Sequence, residues 1–247
     1  MLTARDADAV VFLLDVDNTL LDNDRFKSDL DARLLRDFGD TGRDRYWTAY
    51  ESERARLGYA DYLAALQAFR EGLDDDPDLL RMSAFMLDYP FAERVYAGAL
   101  EAVEWLSTLG TPVVLSDGDV VFQPRKIQRS GLWDAVQGRV LVYLHKERML
   151  DSVQRRHPAR HYVMVDDKPG LLAAMKAAMG ARLTTVFVRQ GHYAAEAAGR
   201  AIEPPPDLAI DGIGALRGLD LQQFLPTHSI PRPAVAGAAH ASTQDIP

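Results

Sequence analysis

The chain has no cysteine among its 247 residues. Disulfide bonds, thiolate metal sites and cysteine nucleophiles are therefore excluded. It also has no apolar run near the roughly 20 residues that a membrane-spanning helix requires, so we expect no membrane partner. Residues 1–14 carry acidic side chains where a signal peptide has basic ones, and they lack a small-residue cleavage pattern. These absences predict a cytoplasmic protein.

Positive charge is also scarce, since 28 Lys and Arg residues against 36 Asp and Glu residues give a net charge of −8. Nucleic acids select proteins with clustered Lys and Arg, so we expect no nucleic-acid partner. An anionic small substrate would need local positive charge in its binding site. The 47% hydrophobic and 26% charged content is that of an ordinary globular protein with a real core. A monomer and a homodimer both remain open.

Short apolar runs rich in β-branched residues recur along the chain, with amphipathic segments between them. Their continuous hydrophobicity is typical of strands that are buried on both faces of a parallel sheet. The predicted strands are residues 10–14, 112–116, 139–144, 162–165 and 183–188, with a weaker one at 208–210. Helices are predicted at 99–110 and 170–181. This alternation predicts an α/β fold with a Rossmann-like doubly wound parallel sheet.

The interval between the first two predicted strands is much longer than a simple crossover, which needs about a dozen residues. It contains no strand-like run and is typical of several helices, for which Asp61 and Asp76 are suitable N-caps. The tail is rich in Pro, Ala and small polar residues, which is typical of disorder. The predicted domains are an α/β core at 1–22 and 91–225, a smaller all-helical domain at 23–90 and a disordered tail at 226–247.

Polar side chains follow four of the predicted strands. The carboxyl ends of parallel strands line one crevice, which is where ligands bind in such sheets. Carboxylates from separate strands can hold Mg²⁺ through oxygen, while a lysine and a serine supply the charge and hydroxyl that a phosphoryl group needs. The residues are Asp15 and Asp17 after the first strand, Ser116 and Asp117 after the second, His145 and Lys146 after the third, and Asp166 and Asp167 after the fourth.

Several features have simpler interpretations. An isolated Asp-x-Asp carries little information in so acidic a chain, and residues 15–24 lack the glycine of an EF-hand loop, because Leu20 stands there. Lys126 lies in a predicted helix, so we expect it to be solvated and only a weak rival to Lys146. His157 and His161 are expected at the surface. An aromatic patch is expected to be a packing face rather than a ligand pocket; it comprises Tyr46, Trp47, Tyr50, Tyr59 and Tyr62.

Four segments, DVDNTL, VVLSDGD, VYLHKERML and VMVDDKPG, occur in this order and resemble the motifs of the haloacid dehalogenase-like (HAD) phosphohydrolase superfamily. The resemblance covers roughly residues 9–217, and the segment 23–90 resembles the helical (C1-type) cap of such proteins. It implies a Mg²⁺-dependent hydrolase. The reaction it implies is cleavage of a small phosphorylated metabolite, a phosphomonoester, through an aspartyl-phosphate.

The resemblance also implies a role for each motif residue. Asp15 would be the nucleophile, and Asp17 would act as general acid and then as general base. Ser116 would grip the phosphoryl group, and Lys146 would neutralise its charge. The implied phosphate-binding residues are Ser116, Asp117 and Gly118, the latter two through backbone N–H groups, together with Lys146. The implied metal ligands are Asp15, Asp17 through its carbonyl, and Asp166 or Asp167, of which Asp167 is favoured.

Other activities remain open beside the phosphatase. A 2-haloacid dehalogenase would share Asp15, but such enzymes need no metal and lack the second aspartate of the first motif, Asp17. A phosphomutase would share every motif. A non-catalytic binding module would not require Asp17 or Lys146.

Overall fold

The computed structural model describes residues 10–197 and 199–225, so the predicted disordered tail lies outside the described residues. Six parallel strands form one sheet in the order β3-β2-β1-β4-β5-β6. This arrangement confirms the predicted parallel α/β sheet and each of its predicted strands. The strands are β1 (Val10–Leu14), β2 (Thr111–Asp117), β3 (Val140–Tyr143), β4 (His161–Asp166), β5 (Leu183–Val188) and β6 (Leu208–Ile210).

Helices connect these strands, and five 3₁₀ turns complete the described elements. The two predicted N-caps are confirmed: Asp61 Oδ1 accepts from the Ala64 N–H, and Asp76 Oδ1 accepts from the Asp78 N–H. No described helix is long and apolar enough to cross a membrane. The helices are α1 (Asn23–Leu57), α2 (Tyr62–Phe69), α3 (Pro77–Asp88), α4 (Ala99–Leu109), α5 (Phe122–Arg129), α6 (Leu132–Ala135), α7 (Leu150–Arg156), α8 (Pro169–Met179) and α9 (Gly191–Ala197). The 3₁₀ turns are Phe91–Arg94, Lys146–Arg148, Gly180–Arg182, Ile213–Gly218 and Leu221–Phe224.

The strand β1 lies in the middle of the sheet and is buried along its whole length. Its side chains alternate between two hydrophobic clusters, one on each face of the sheet. Phe12 and Leu14 belong to the first cluster, and Val11 and Leu13 belong to the second. Because both faces are covered by apolar groups, the run needs no polar residue until the strand ends.

The helical segment α1–α3 packs onto the first of these clusters. The ring of Phe26 in α1 lies 5.3 Å from that of Phe91 and 5.5 Å from that of Phe122 in α5, measured between ring centres. The helix α1 is interrupted at Gly39, whose φ of 67° and ψ of −177° are not helical. The bounds of a separate helical domain at 23–90 remain a prediction.

Candidate active site

The sheet brings the ends of β1 and β4 side by side. Leu14 is in register with Val165, and the Asp15 N–H extends the ladder by donating to the Val165 carbonyl at 3.0 Å. The chain then turns tightly, with Asn18 in the left-handed region at a φ of 61°. Asp15 and Asp166 therefore emerge next to each other from two neighbouring buried strands.

Three buried carboxylates form the centre of the site. One side-chain oxygen each from Asp15, Asp166 and Asp167 lies within 4.8 Å of the other two. Neither side-chain oxygen of Asp167 has a hydrogen-bond partner. Burial and the adjacent Asp166 and Asp15 raise the pKa of Asp167, and burial likewise raises the pKa of Asp166. A hard divalent cation fits this donor set, because it would supply the positive charge that the unpaired oxygens lack.

Lys146 supplies fixed positive charge beside this cluster. Its ammonium group donates to Asp15, lies 2.7 Å from Asp166 Oδ2 in an ion pair, and reaches the Leu115 carbonyl at 3.3 Å. Burial lowers the pKa of Lys146, but the surrounding carboxylates outweigh it and raise that pKa above its ordinary value. Lys146 therefore stays charged inside the protein.

Thr19 connects the nucleophile candidate to the end of β4. Its hydroxyl donates to Asp15 Oδ2 at 3.1 Å and accepts from the Asp167 backbone N–H at 3.1 Å. One buried side chain thus fixes the orientation of Asp15 and the path of the chain at Asp167.

Asp17 lies apart from the three-carboxylate cluster and contacts Lys126. The Lys126 ammonium donates to both Asp17 oxygens, at 2.8 and 3.0 Å, and to Asn23 Oδ1 at 3.0 Å. Only 1% of the Lys126 side chain is exposed, so the expectation of a solvated helix lysine is wrong. Gln123, one turn earlier on α5, donates to Asp17 Oδ2 at 3.3 Å.

Ser116 and Asp117, at the end of β2, bond to other residues of the site. The Ser116 hydroxyl accepts from Gln123 Nε2 at 2.8 Å, and Asp117 Oδ1 accepts from the Lys146 backbone N–H at 2.7 Å. The Gly118 N–H donates to the Tyr143 carbonyl at 2.9 Å, so this amide is already bonded between neighbouring strand ends. Burial raises the pKa of Asp117 despite the nearby Lys146 charge.

A cavity of about 260 Å³ lies between α1, the loop after it and the strand ends. Its lining includes Tyr59 and Tyr62 of the aromatic patch together with Asp17 and Lys126. The rest of the patch lies elsewhere: Tyr46 and Tyr50 are buried in the hydrophobic core, as expected of a packing face, whereas Trp47 packs against that core and also lines a separate cavity. Tyr62 is both buried and part of the cavity wall.

Sequence reasoning missed Gln123 and Lys126 as site residues and misplaced His161. Phe122 and Lys126 are four residues apart on α5, so the helical period places Lys126 on the apolar face, and this signal was available in the sequence. His161 begins β4 and is buried, with its ring nitrogen 2.9 Å from Thr184 Oγ1, instead of lying at the surface.

The fold and these motif residues define a member of the haloacid dehalogenase-like hydrolases. That family matches the chain over residues 10–179, which is more than half of it, so the chain belongs to the haloacid dehalogenase-like hydrolase family. The chain is similar to the crystal structure of a haloacid dehalogenase-like hydrolase from Burkholderia xenovorans LB400. The two share 57% sequence identity and a TM-score of 0.82, over 88% of this chain and 99% of the other. No curated protein matches the chain.

Two more distant solved structures share the fold. The HAD-hydrolase YfnB from Bacillus subtilis, described as bound to magnesium, has 15% identity and a TM-score of 0.58 over 85% of this chain and 97% of its own. A 2-haloacid dehalogenase from Pseudomonas syringae pv. Tomato DC3000 has 15% identity and a TM-score of 0.59 over 85% of this chain and 96% of its own. At this identity the likeness concerns the fold alone.

Proposed function

We propose that the protein is a Mg²⁺-dependent phosphatase that hydrolyses a small phosphorylated metabolite in the cytoplasm. The observation that carries the proposal is the buried group of Asp15, Asp166 and Asp167, in which both Asp167 oxygens lack a protein donor. Three converging carboxylates would be costly to bury without a cation. Phosphoryl transfer requires this kind of site, because it depends mainly on positioning and charge neutralisation.

The proposed metal ligands are Asp15, Asp167 and the backbone carbonyl of Asp17. Asp167 is the better direct ligand of the two adjacent aspartates, since Asp166 Oδ2 pairs with Lys146 and Asp166 Oδ1 accepts from the Lys168 N–H. When bound, Mg²⁺ would offset the repulsion between a carboxylate and an anionic phosphate ester. The magnesium of the distant B. subtilis neighbour is compatible with this proposal.

The protein's own residues supply the bond-making steps. Asp15 would attack phosphorus to form an aspartyl-phosphate, while the ester bond breaks and its oxygen takes a proton from Asp17. The deprotonated Asp17 would then accept a proton from water as that water attacks phosphorus, the bond between phosphorus and Asp15 breaks, and phosphate leaves with the Asp15 carboxylate restored. Lys146, already paired with Asp15, would hold a phosphoryl oxygen as negative charge develops. Ser116 is the further phosphate ligand that we propose.

A second candidate is hydrolysis of a carbon–halogen bond, because several neighbours of the same fold are described as dehalogenases. Two features of this chain favour the phosphatase. Asp17 is held at the crevice by Lys126, and a metal-suited carboxylate cluster is present, whereas dehalogenation with Asp15 as nucleophile would need neither.

Phosphate release from p-nitrophenyl phosphate, acetyl phosphate and a panel of phosphorylated metabolites tests the proposal, with Mg²⁺ and with EDTA. We expect turnover in Mg²⁺, loss of turnover in EDTA and loss in Asp15→Asn. Asp40→Asn is the matched control, since Asp40 is 80% exposed on α1. Full activity of Asp15→Asn would refute the proposal that Asp15 is the nucleophile. Halide release from 2-chloropropionate without metal would favour the dehalogenase instead.

A further inference from the structure

The cavity beside Asp17 is lined by cations to which the proposed reaction assigns no role. Its lining includes two cations from different parts of the chain, Arg54 of α1 and Lys168 of the loop after β4. Neither residue shares the proposed role of Lys146, which is to hold a phosphoryl oxygen, or that of Lys126, which is to pair with Asp17. Both line the same cavity as Asp17, which is the proposed proton donor to the leaving group, so we place the leaving group of a phosphate ester beside them.

Arg54 and Lys168 meet at one side chain, that of Tyr193 in α9. Arg54 Nη2 donates to the Tyr193 hydroxyl at 3.3 Å, and Lys168 Nζ lies 4.9 Å from the centre of the Tyr193 ring. The end of α1 is seated closely over the core here. A Cβ on Gly58 would lie 3.0 Å from Cε1 of the His145 side chain, so the chain after α1 packs closely against this ring.

The carboxylates that line the cavity bond to other groups, and none of them forms an ion pair with Arg54 or Lys168. Asp17 is paired with Lys126, and Asp117 accepts from the Lys146 N–H. Asp119 accepts from two backbone N–H groups at the start of α5, at 2.6 and 2.8 Å. The carboxylate nearest to Arg54 is that of Glu51, 3.5 Å away and 59% exposed, so it screens the guanidinium only weakly.

We infer that the crevice selects small phosphomonoesters whose leaving group carries a second anionic group, which Arg54 and Lys168 bind beside the Tyr193 hydroxyl. This inference rests on the proposed function. A guanidinium offers a planar pair of donors that matches a carboxylate or phosphate, and an ammonium adds a point charge. The volume of about 260 Å³ is below the range of about 300–1,000 Å³ typical of drug-sized ligands, which favours a small leaving group.

Two substrates that differ only in the second charged group measure its contribution apart from that of the phosphate. Phosphoglycolate and 2-hydroxyethyl phosphate differ only in a carboxylate against a hydroxymethyl group. We expect the wild type to prefer phosphoglycolate in kcat/KM by about 10- to 100-fold, which is the range of one or two charge-assisted hydrogen bonds. The preference should appear mainly in KM. A bisphosphate tested in the same way distinguishes a phosphate from a carboxylate as the second group.

Three variants test whether Arg54 and Lys168 produce the preference for phosphoglycolate. Arg54→Met should reduce the preference ratio to near one, and Arg54→Lys should restore part of it by returning the charge. Lys168→Met should also reduce the ratio, because the two cations bind the same anionic group. Arg56→Met is the matched control, because Arg56 lies on the same helix, pairs with Glu53 and is 65% exposed outside the cavity. An unchanged ratio in both Arg54→Met and Lys168→Met would overturn the inference.

A binding measurement separates this inference from the proposed function. Isothermal titration in Mg²⁺ compares phosphonoacetate with 2-hydroxyethylphosphonate, neither of which has an ester bond to hydrolyse. We expect the wild type to bind phosphonoacetate more tightly, again by about 10-fold or more, and Arg54→Met to lose the difference. Equal affinities in an enzyme that hydrolyses p-nitrophenyl phosphate would overturn the inference alone. A retained binding preference without hydrolysis of any ester would instead overturn the phosphatase proposal.

Discussion

The Lys126 ammonium lies 2.8 and 3.0 Å from the two carboxylate oxygens of Asp17, within a side chain that is only 1% exposed. The same ammonium donates to Asn23, the first residue of α1. It is also surrounded by the rings of Phe26, Phe91 and Phe122, whose centres lie 5.3–6.0 Å away. One buried cation therefore connects the acid–base candidate to the start of the helical segment.

Replacement of Lys126 by Met removes the charge while keeping an unbranched side chain. Asp17 and Asn23 then lose a buried donor, so we expect the free energy of unfolding to fall by about 3 kcal/mol. If Asp17 is the general acid and base, kcat should fall about 100-fold or more. Urea unfolding and phosphate release measure the two effects.

Arg125→Met is the control for this variant, because it removes a cation from the neighbouring position of α5. Arg125 is 46% exposed and pairs with the exposed Asp88, so its loss should cost less than about 1 kcal/mol. If Lys126→Met keeps wild-type stability and turnover, Lys126 has neither a structural role nor a role in positioning Asp17.

Thr19→Val tests the hydroxyl that bridges Asp15 and the Asp167 N–H. Valine has nearly the same shape but leaves a buried carboxylate oxygen and a buried N–H without this partner. We expect a loss of about 1–3 kcal/mol in the free energy of unfolding, together with lower kcat. Thr19→Ser retains the hydroxyl and should recover most of both. Wild-type stability and kcat in Thr19→Val would show that these hydrogen bonds do not matter.

Acid sensitivity should arise in part at His161. Burial lowers the pKa of His161 from its ordinary 6.5, so the folded protein holds the ring neutral. Below pH 6.5 the unfolded chain takes up a proton that the folded chain does not, and stability is lost as the pH falls through the lowered value. His161→Gln should flatten this limb of the stability curve relative to the wild type. Parallel curves for both proteins below pH 6.5 would be inconsistent with this explanation.

The sheet could be predicted from the sequence, because continuous apolar runs such as Val10–Leu14 are typical of buried parallel strands. The sequence also placed Asp15, Asp166 and Lys146 at one edge, since parallel strands end on the same side. The structure brings these three side chains together. Their chemical roles remain predictions.

The position of Lys126 was harder to predict from the sequence, because lysines on helices are usually solvated and its burial depends on partners far along the chain. Asp17 is 109 residues away and Phe26 is 100. Local periodicity placed Lys126 on the apolar face, but only the tertiary fold shows which carboxylate neutralises it. Arg54 and Lys168 escaped notice for the same reason, since Tyr193 joins them only in the folded protein.

The most direct test of the whole account is whether Mg²⁺ stabilises the protein through Asp167. Bound at 100 times its dissociation constant, Mg²⁺ should raise the free energy of unfolding of the wild type by about 2.7 kcal/mol, measured by chemical denaturation with and without the ion. Asp167→Asn should abolish this rise and Asp40→Asn should retain it. No rise in the wild type, or an equal rise in Asp167→Asn, would contradict a dication held by these buried carboxylates.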